Sequence, residues 1–185
     1  MVAEMLRQRG AKVISGDALG HEALQRPDVH AEVVRRWGSE ILEPDGLISR
    51  ARLAKIVFGD PEERRALEAL VFPSIERRIE EEIAAARSRA DVPVIVLDAA
   101  IMLEAGWNKM CDLLVYVEAP AALRRQRLRQ QRGWGDKELQ EREQAQMSLT
   151  DKASRAHYTV DNSGSAEKVA QQVDSLLRQW QGNDV

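Results

Sequence analysis

The chain has 185 residues, of which 44% are apolar and 31% are charged, with 27 Lys and Arg against 30 Asp and Glu. The apolar fraction supplies the core of about one domain, and it excludes a disordered chain, a collagen-like chain and a disulfide scaffold. The formal charge of −3 provides no global attraction to nucleic acid or to an anionic membrane, so we expect neither as a partner.

The N-terminal segment is typical of a helix that leads into a short strand. Val2 and Leu6 share one helical face, Gly10 ends the helix, and residues 11–15 are predicted to form the strand. Charges run through this segment and no apolar run approaches about 18 residues, so we predict neither a signal peptide nor a membrane span. Cys111 is the single cysteine, which excludes an internal disulfide and favours the reducing cytoplasm.

Residues 18–92 are predicted to be mainly helical. Prolines and glycines punctuate the segment, and Pro73 is expected to separate two of its helices, because proline lacks the N–H that a helix interior requires. The predicted helices cover residues 18–25, 28–37, 49–57, 61–71 and 73–89.

Two later segments, 93–98 and 112–118, are continuous apolar runs rich in β-branched residues. This pattern is typical of parallel strands that are covered on both faces. A fourth strand is predicted at 158–160, and helices are predicted from residue 120 and over 165–180. Strands that alternate with helices predict an α/β fold with a parallel sheet.

Polar side chains follow three of these strands. Asp17 and Asp98 come at or just after strand ends, and Asn162 follows the last strand. In open parallel sheets, ligands bind outside the carboxyl ends of the strands, so these side chains are candidates for a shared site. The alternative is that they only terminate strands and cap the following helices.

A series of short motifs runs through the chain in a fixed order. The segment Val13–His21 is similar to V-I-D-A-D-x-I-A-R, and Trp37-Gly38 follows it. The segment Asp45–Phe58 matches D-G-x-x-x-R-x-x-L-x-x-x-V-F. Further on come Leu67–Pro73, similar to L-E-x-x-x-H-P, then Asp98–Glu104, similar to D-V-P-L-L-F-E, then Arg125, Gln146 and the pair Asp161-Asn162.

Together these motifs resemble the dephospho-CoA kinase family over essentially the whole chain. The resemblance implies a P-loop-kinase-like α/β fold and phosphorylation of the ribose 3′-hydroxyl of dephospho-CoA, with ATP and Mg²⁺. It further implies one kinase-like domain over residues 1–185, with a mainly helical substrate-binding region at 18–92 and a lid at 121–156. We define the latter as the predicted lid.

One feature of the family is missing from the 185 residues. The family begins with a strand and a G-x-x-x-x-G-K-[ST] phosphate loop, and no such loop occurs in this sequence. Backbone N–H groups and the Lys of that loop hold the ATP phosphates. We therefore expect an absent first strand, at the centre of the sheet, and a chain of uncertain activity. Two alternatives stay open: a start site placed too late or a truncated record, and a degenerate, non-catalytic paralogue that binds CoA or a nucleotide.

On the acceptor side, the resemblance places Asp17 beside the hydroxyl that is phosphorylated, where a carboxylate accepts or orients its proton. Ser15 replaces an Asp of the motif. His21 stands where the family has Arg, which assigns it to the rim of the substrate site. Arg50 matches a family Arg and pairs either with a substrate phosphate or with a local carboxylate.

Asp98 occupies the position of a metal-binding carboxylate at the end of a strand, with a strand-ending cap as its alternative. Glu104 ends its motif and is expected to line the substrate site. Ala99-Ala100 replaces Val-Pro of the motif, which changes the loop between them.

The segment 124–132 holds five arginines in nine residues. The resemblance makes it the start of the lid, where guanidinium groups offset the charge of the phosphoryl group in transfer. Arg125 is the first candidate for this role and Arg132 the second, as a ligand of ATP. The alternatives are a solvated basic helix face and a nucleic-acid patch, and the patch lacks interleaved aromatic residues.

Gln146 and Asn162 match late positions of the family that bind the nucleotide, and Asn162 begins a loop expected to pack against adenine. An ordinary Asn-Ser-Gly turn is the alternative for this loop. Another small-molecule P-loop kinase, such as a nucleoside monophosphate kinase, is the remaining enzymatic alternative.

Overall fold

The computed structural model of the chain describes residues 1–132, 135, 140 and 142–182. Helix α1 covers Val2–Gln8 and is followed directly by strand β1, Lys12–Ser15. The predicted N-terminal helix and strand are therefore confirmed. α1 buries Val2 and Leu6, the two apolar residues whose spacing predicted it.

Four helices follow β1 and confirm the helical character of residues 18–92. They are α2 (Gly16–Gln25), α3 (Pro27–Trp37), α4 (Arg50–Val57) and α5 (Pro61–Arg87). The prediction that Pro73 separates two helices is wrong, because α5 runs through it as one helix of 27 residues. Val71, Ile75 and Ile79 are buried on either side of Pro73, and this continuous apolar face outweighs the backbone hydrogen bond that proline removes.

The strands form two small parallel sheets. β2 (Ile95–Asp98) pairs with β1, and β3 (Val115–Glu118) pairs with β4 (Tyr158–Asp161). All four strands lie close to their predicted positions, and the α/β class with parallel strands is confirmed. The structure differs from one continuous sheet in that no described strand joins β2 to β3.

A groove of about 720 Å³ is lined by residues of both β2 and β3. Both strands are only partly buried, although the predicted cover on both faces is present for β2, whose alternate residues contact the two apolar clusters described below. Val94 and Val96 line the groove on one side, and Val115 and Val117 line it on the other. The further strand that the resemblance places at the centre of the sheet stays a prediction.

The later helices include a short 3-10 helix, Trp107–Met110, and then α6 (Ala121–Arg132), α7 (Leu149–Ser154) and α8 (Ala166–Gly182), and residues 142–144 are also helical. α8 packs beside α1, and Arg9 forms an ion pair with Asp174 between them. None of the helices in the described ranges is long and apolar enough to cross a membrane.

Two apolar clusters lie under these elements. The larger joins β1 to α2, α3, α4 and α5 and includes Ile14, Val33 and Ile79. The smaller joins α1, β4 and α8 and includes Val160 and Val169. Neighbouring residues of β2 divide between the clusters, since Ile95 and Leu97 contact the first while Val94 and Val96 contact the second. β2 thus fixes the two halves of the core to each other and leaves its carboxyl end for a site.

Candidate active site

The carboxyl ends of β1 and β2 meet at one edge. Ser15 and Asp98 are partners in the parallel register, so the turn into α2 and the loop after β2 leave the sheet side by side. A Cβ on Gly16 would lie 2.9 Å from the Cβ of Ala99, so only glycine permits this close approach. The packing brings Asp17 and Asp98 to the same edge, as the strand ends predicted.

Asp17 lies in the first turn of α2 and is exposed. The N-cap of this helix is Ser15, whose Oγ accepts a hydrogen bond from the Ala18 N–H at 3.3 Å. Capping is therefore the role of Ser15 and not of Asp17. Ser15, which replaces an acidic residue of the motif, thus has a structural role in starting α2.

His21 follows Asp17 by one helical turn, and Arg50 at the start of α4 reaches it. The distance from Arg50 Nη1 to His21 Nδ1 is 3.4 Å. Because a guanidinium only donates, Nδ1 is the acceptor in a hydrogen bond between these two groups. Within the described residues Arg50 forms no ion pair with a carboxylate. Of the two roles predicted for Arg50, pairing with a local carboxylate is therefore absent here.

Glu104 lies at the end of the loop after β2, and its carboxylate contacts two groups of the predicted lid, the Lys152 ammonium and the Met147 N–H. Its Oε1 is 2.8 Å from Lys152 Nζ and accepts a hydrogen bond of 2.8 Å from the Met147 N–H. The same ammonium donates to Gln146 Oε1 at 3.1 Å. The predicted residues Glu104 and Gln146 are thus brought together through Lys152, which sequence reasoning missed. No short-range motif distinguishes Lys152 from the other lysines, so the only available signal was its place in the lid segment.

Glu68 of α5 adds a second carboxylate near Glu104. Burial raises the pKa of Glu68, and the negative charge of Glu104 raises it further, while Arg64 acts in the opposite direction. Arg64 Nε is 3.7 Å from Glu68 Oε1. Glu68 and Glu104 therefore repel each other as like charges, while Arg64 and Arg65 act on Glu68 and Lys152 pairs with Glu104.

The arginines of α6 face different surroundings. Arg124 donates to the Ala119 carbonyl at 2.8 Å and to Glu143 Oε1 at 3.3 Å, which ties α6 to the chain on both sides. Arg125 is exposed and lines a surface depression with Gln126 and Arg129. The side chain of Arg132, the second candidate, lies outside the described residues.

Asn162 stands at the end of the other sheet. Its N–H donates to the Glu118 carbonyl at 2.7 Å, and its side chain lines the groove between the sheets. Its Oδ1 is buried with no hydrogen-bond partner among the described residues. Asp161 instead supports the turn, since its Oδ1 accepts from the Ser163 N–H at 2.8 Å, and these hydrogen bonds lower the pKa of Asp161.

A preformed metal cage is absent from the described residues, because no three His, Cys, Asp or Glu side chains are grouped there. Asp98 is an exposed carboxylate at the strand-end edge, and Asp17 lies at the same edge. A single carboxylate fits Mg²⁺, which keeps several waters and is otherwise held by substrate phosphates.

The chain matches known proteins over most of its length. The family model described as dephospho-CoA kinase matches residues 1–168. A dephospho-CoA kinase of Symbiobacterium thermophilum is 39% identical over 179 residues, which are 96% of this chain and 74% of that protein. The dephospho-CoA kinase of Anaeromyxobacter dehalogenans is 36% identical over 181 residues, which are 97% of this chain and 85% of that protein.

Solved structures share the fold. A Thermus thermophilus protein of known crystal structure superposes with a TM-score of 0.77 at 32% identity, over 96% of this chain and 89% of that one. The dephospho-CoA kinase from Campylobacter jejuni superposes with a TM-score of 0.70 at 20% identity, over 98% of this chain and 91% of that one, and so supports the fold alone.

Proposed function

The chain belongs to the dephospho-CoA kinase family, and from that premise we propose that it transfers a phosphoryl group from ATP to the ribose 3′-hydroxyl of dephospho-CoA. The product is coenzyme A, so this is the last step of its synthesis. The observation that carries the proposal is the edge where β1 and β2 end. Ser15 and Asp98 are register partners there, and Asp17 opens the next helix.

Asp17 is proposed as the group that accepts or orients the proton of the acceptor hydroxyl. Phosphoryl transfer asks little covalent chemistry of the protein, so positioning and charge supply most of the catalysis. An exposed carboxylate in the first turn of α2, at the edge where β1 and β2 end, is suited to a substrate hydroxyl. The proton of the hydroxyl passes to an Asp17 carboxylate oxygen as the bond to phosphorus forms.

Arg50 and His21 are proposed to bind the acceptor substrate, which is rich in phosphate. Within the described part of the chain, the guanidinium of Arg50 contacts only His21, at 3.4 Å, and its other N–H groups are proposed to bind the substrate. A guanidinium binds phosphate oxygens through two parallel N–H donors, which fixes both position and orientation. His21 then stands at the rim and orients Arg50. Glu104 is proposed to line the same site from the loop after β2.

The nucleotide side is proposed to involve Arg125, Arg132, Gln146 and Asn162. Arg125 is exposed on α6 and is available to offset charge on the transferring phosphoryl group. Asp98 is the residue proposed to hold Mg²⁺, directly or through water, and the ion would offset negative charge on the phosphates. The reducing cytoplasm, which also suits the unpaired thiol of Cys111, is the proposed location.

An assay of ATP-dependent phosphorylation tests this proposal. We expect ADP release that depends on dephospho-CoA, together with a product that is heavier by one phosphoryl group. AMP serves as the control acceptor, and turnover of AMP without turnover of dephospho-CoA would contradict the substrate assignment.

The assay has two arms, because the phosphate loop of the family is not in the 185-residue sequence. One arm uses this chain, and the other uses a version extended upstream through any in-frame G-x-x-x-x-G-K-[ST] loop. Activity in the extended version alone would identify a start site placed too late. Absence of activity in both, with both chains folded, would favour the non-catalytic paralogue.

A further inference from the structure

Lys152 is a largely buried cation whose donors are all used. Its side chain is 13% exposed, and its ammonium lies 2.6 Å from the Ala100 carbonyl, 3.1 Å from Gln146 Oε1 and 2.8 Å from Glu104 Oε1. An ammonium has three N–H donors, and here each has an acceptor. A buried charge is tolerated only when it is paired and hydrogen-bonded, so this arrangement depends on all three acceptors.

The three acceptors come from two different parts of the molecule. Ala100 and Glu104 belong to the loop that begins directly after Asp98, while Gln146 lies in the segment before α7. Glu104 Oε1 also accepts from the Met147 N–H at 2.8 Å. Three short polar contacts therefore join the loop after β2 to the lid, two from Lys152 and one from the Met147 N–H, and the contact of Lys152 with Gln146 extends this link within the lid.

Apolar packing does little to hold this part of the lid. α7 buries none of its residues. Its N-cap is Ser148, which accepts from the Asp151 N–H at 3.1 Å. Anchoring by polar contacts alone is directional, and loss of one central donor releases every acceptor that it joined.

We propose that Lys152 is a positioning residue that couples the nucleotide side of the site, through Gln146, to the acceptor side, through Glu104 and the loop after Asp98. This inference rests on the proposed function. It assigns Lys152 no contact with either substrate. When one substrate binds, it fixes the position of either the loop after β2 or the segment before α7. The contacts of Lys152 then fix the position of the other segment.

The charges around the pair support this assignment. Glu104 is flanked by Lys152 on one side, and on the other its charge acts on Glu68, which Arg64 pairs only at 3.7 Å. Glu68 has Arg64 and Arg65 near it, whereas Lys152 is the cation that contacts Glu104 in the described part of the chain. Among the described residues, loss of Lys152 leaves Glu104 with the Met147 N–H as its hydrogen-bond donor, and the loop after β2 loses its link to Gln146.

The test measures coupling between the two ligands. Dephospho-CoA affinity is determined by calorimetry with and without a non-hydrolysable ATP analogue, in whichever of the two chains of the phosphorylation assay binds the analogue, here called the wild type, and in its Lys152→Met and Lys152→Arg variants. In the wild type we expect the analogue to change dephospho-CoA affinity by about tenfold. In Lys152→Met we expect this factor to fall to about one, and Lys152→Arg should restore part of it.

Two controls separate positioning from folding. Lys109→Met removes an exposed lysine outside the site and should leave the coupling factor unchanged. Glu104→Gln removes the partner charge while keeping the shape, and in combination with Lys152→Met it should add little further loss, because the two act as one unit. Kinetics on the active chain should show higher KM values for both substrates in Lys152→Met with a smaller change in kcat.

The outcomes divide cleanly. An unchanged coupling factor in a folded Lys152→Met chain would overturn the positioning role alone and leave the proposed function standing. Failure of both chains, with and without the upstream extension, to bind either ligand would overturn the proposed function and the role of Lys152 with it. If Lys152→Met does not fold, the coupling factor is measured in Lys152→Arg and Glu104→Gln instead. A coupling factor equal to that of the wild type in both variants would contradict the proposal.

Discussion

The helical region at 18–92 and the predicted lid at 121–156 are held in place by opposite kinds of contact. In the helical region, the side chains of Val33, Ile41 and Ile79 are completely buried in one apolar cluster. Such packing is non-directional, and it is distributed over many residues. No single contact decides the position of a helix there.

In the described part of the lid the fixed contacts are polar and few. Lys152 and Arg124 make most of them, through Glu104 and Glu143 respectively. Such contacts depend on distance and angle, so they are either made or lost. The comparison teaches that substitutions in the helical region should change stability first, whereas substitutions in the lid should change turnover first.

The largest expected effect is a loss of stability at Trp107. Its side chain is 2% exposed and meets the ring of Phe72 edge-on, with the centroids 5.4 Å apart. Trp107→Ala should lower the free energy of unfolding by about 3 to 5 kcal/mol, because it removes buried area and leaves a cavity. Denaturant unfolding measures this, with the half-exposed Val117→Ala as control. A loss below about 1 kcal/mol would contradict the conclusion that the apolar cluster of the helical region, to which Trp107 belongs, determines stability.

A second prediction concerns Asp17, which lies in the first turn of α2 and is exposed. Asp17→Asn should lower kcat by about a hundredfold, because it removes the proposed proton acceptor. The free energy of unfolding should change by less than about 0.5 kcal/mol, as is usual at exposed positions. Glu22→Gln on the same helix is the matched control. Turnover within a few-fold of the wild type, in whichever chain is active, would exclude Asp17 as the base.

A third prediction concerns Arg125 in the predicted lid, where we expect turnover to change and stability to stay the same. Arg125→Ala should lower kcat by about tenfold, less than the hundredfold typical of an enclosed donor, because the side chain is exposed. Stability should stay within about 0.5 kcal/mol of the wild type. Arg127→Ala on another face of α6 is the control and should leave kcat unchanged. Equal losses in both variants would assign the arginines a general electrostatic role instead.

The smallest effect is a pH dependence of opposite sign at two glutamates of α5. Hydrogen bonds from Arg36 and Trp37 lower the pKa of Glu63, so its stabilising contribution is present above the ordinary carboxyl pKa and is lost as the pH falls. Burial raises the pKa of Glu68, so its contribution is present below the ordinary pKa and is lost as the pH rises.

Glu63→Gln should therefore destabilise the chain more at pH 7 than at pH 4. Glu68→Gln should be more favourable at pH 7 than at pH 4, because the amide carries no charge to bury. Unfolding midpoints at the two pH values measure both differences, and the exposed Glu62→Gln is the control. The same sign for Glu63→Gln and Glu68→Gln would contradict the assigned causes.

Much of the fold was predictable because its signals are local. The four strands follow from short apolar runs, and the helices follow from periodic apolar residues between prolines and glycines. Pro73 shows the limit of local signals. Its missing N–H is a local penalty, while the buried face formed by Val71, Ile75 and Ile79 exists only once α5 packs on the rest of the core.

The candidate site divides in the same way. The convergence of Asp17 and Asp98 was predictable from their places after two parallel strands. The junction of Glu104 with Gln146 was not, because it depends on Lys152, an ordinary lysine in the sequence. Long-range polar contacts leave no period or spacing in a chain, since the partners are set by the fold and not by neighbours.

By itself, the sequence determined the α/β class, the order of the helices and strands, and the family to which the chain belongs. These follow from apolar periodicity, from turn residues and from the order of short motifs, all of which act over a few residues. Only the tertiary structure decided that α5 continues through Pro73, that β2 and β3 line a common groove, and that Lys152 joins the lid to the loop after β2. Each depends on surfaces that meet across long stretches of chain, where burial and charge pairing act only after folding.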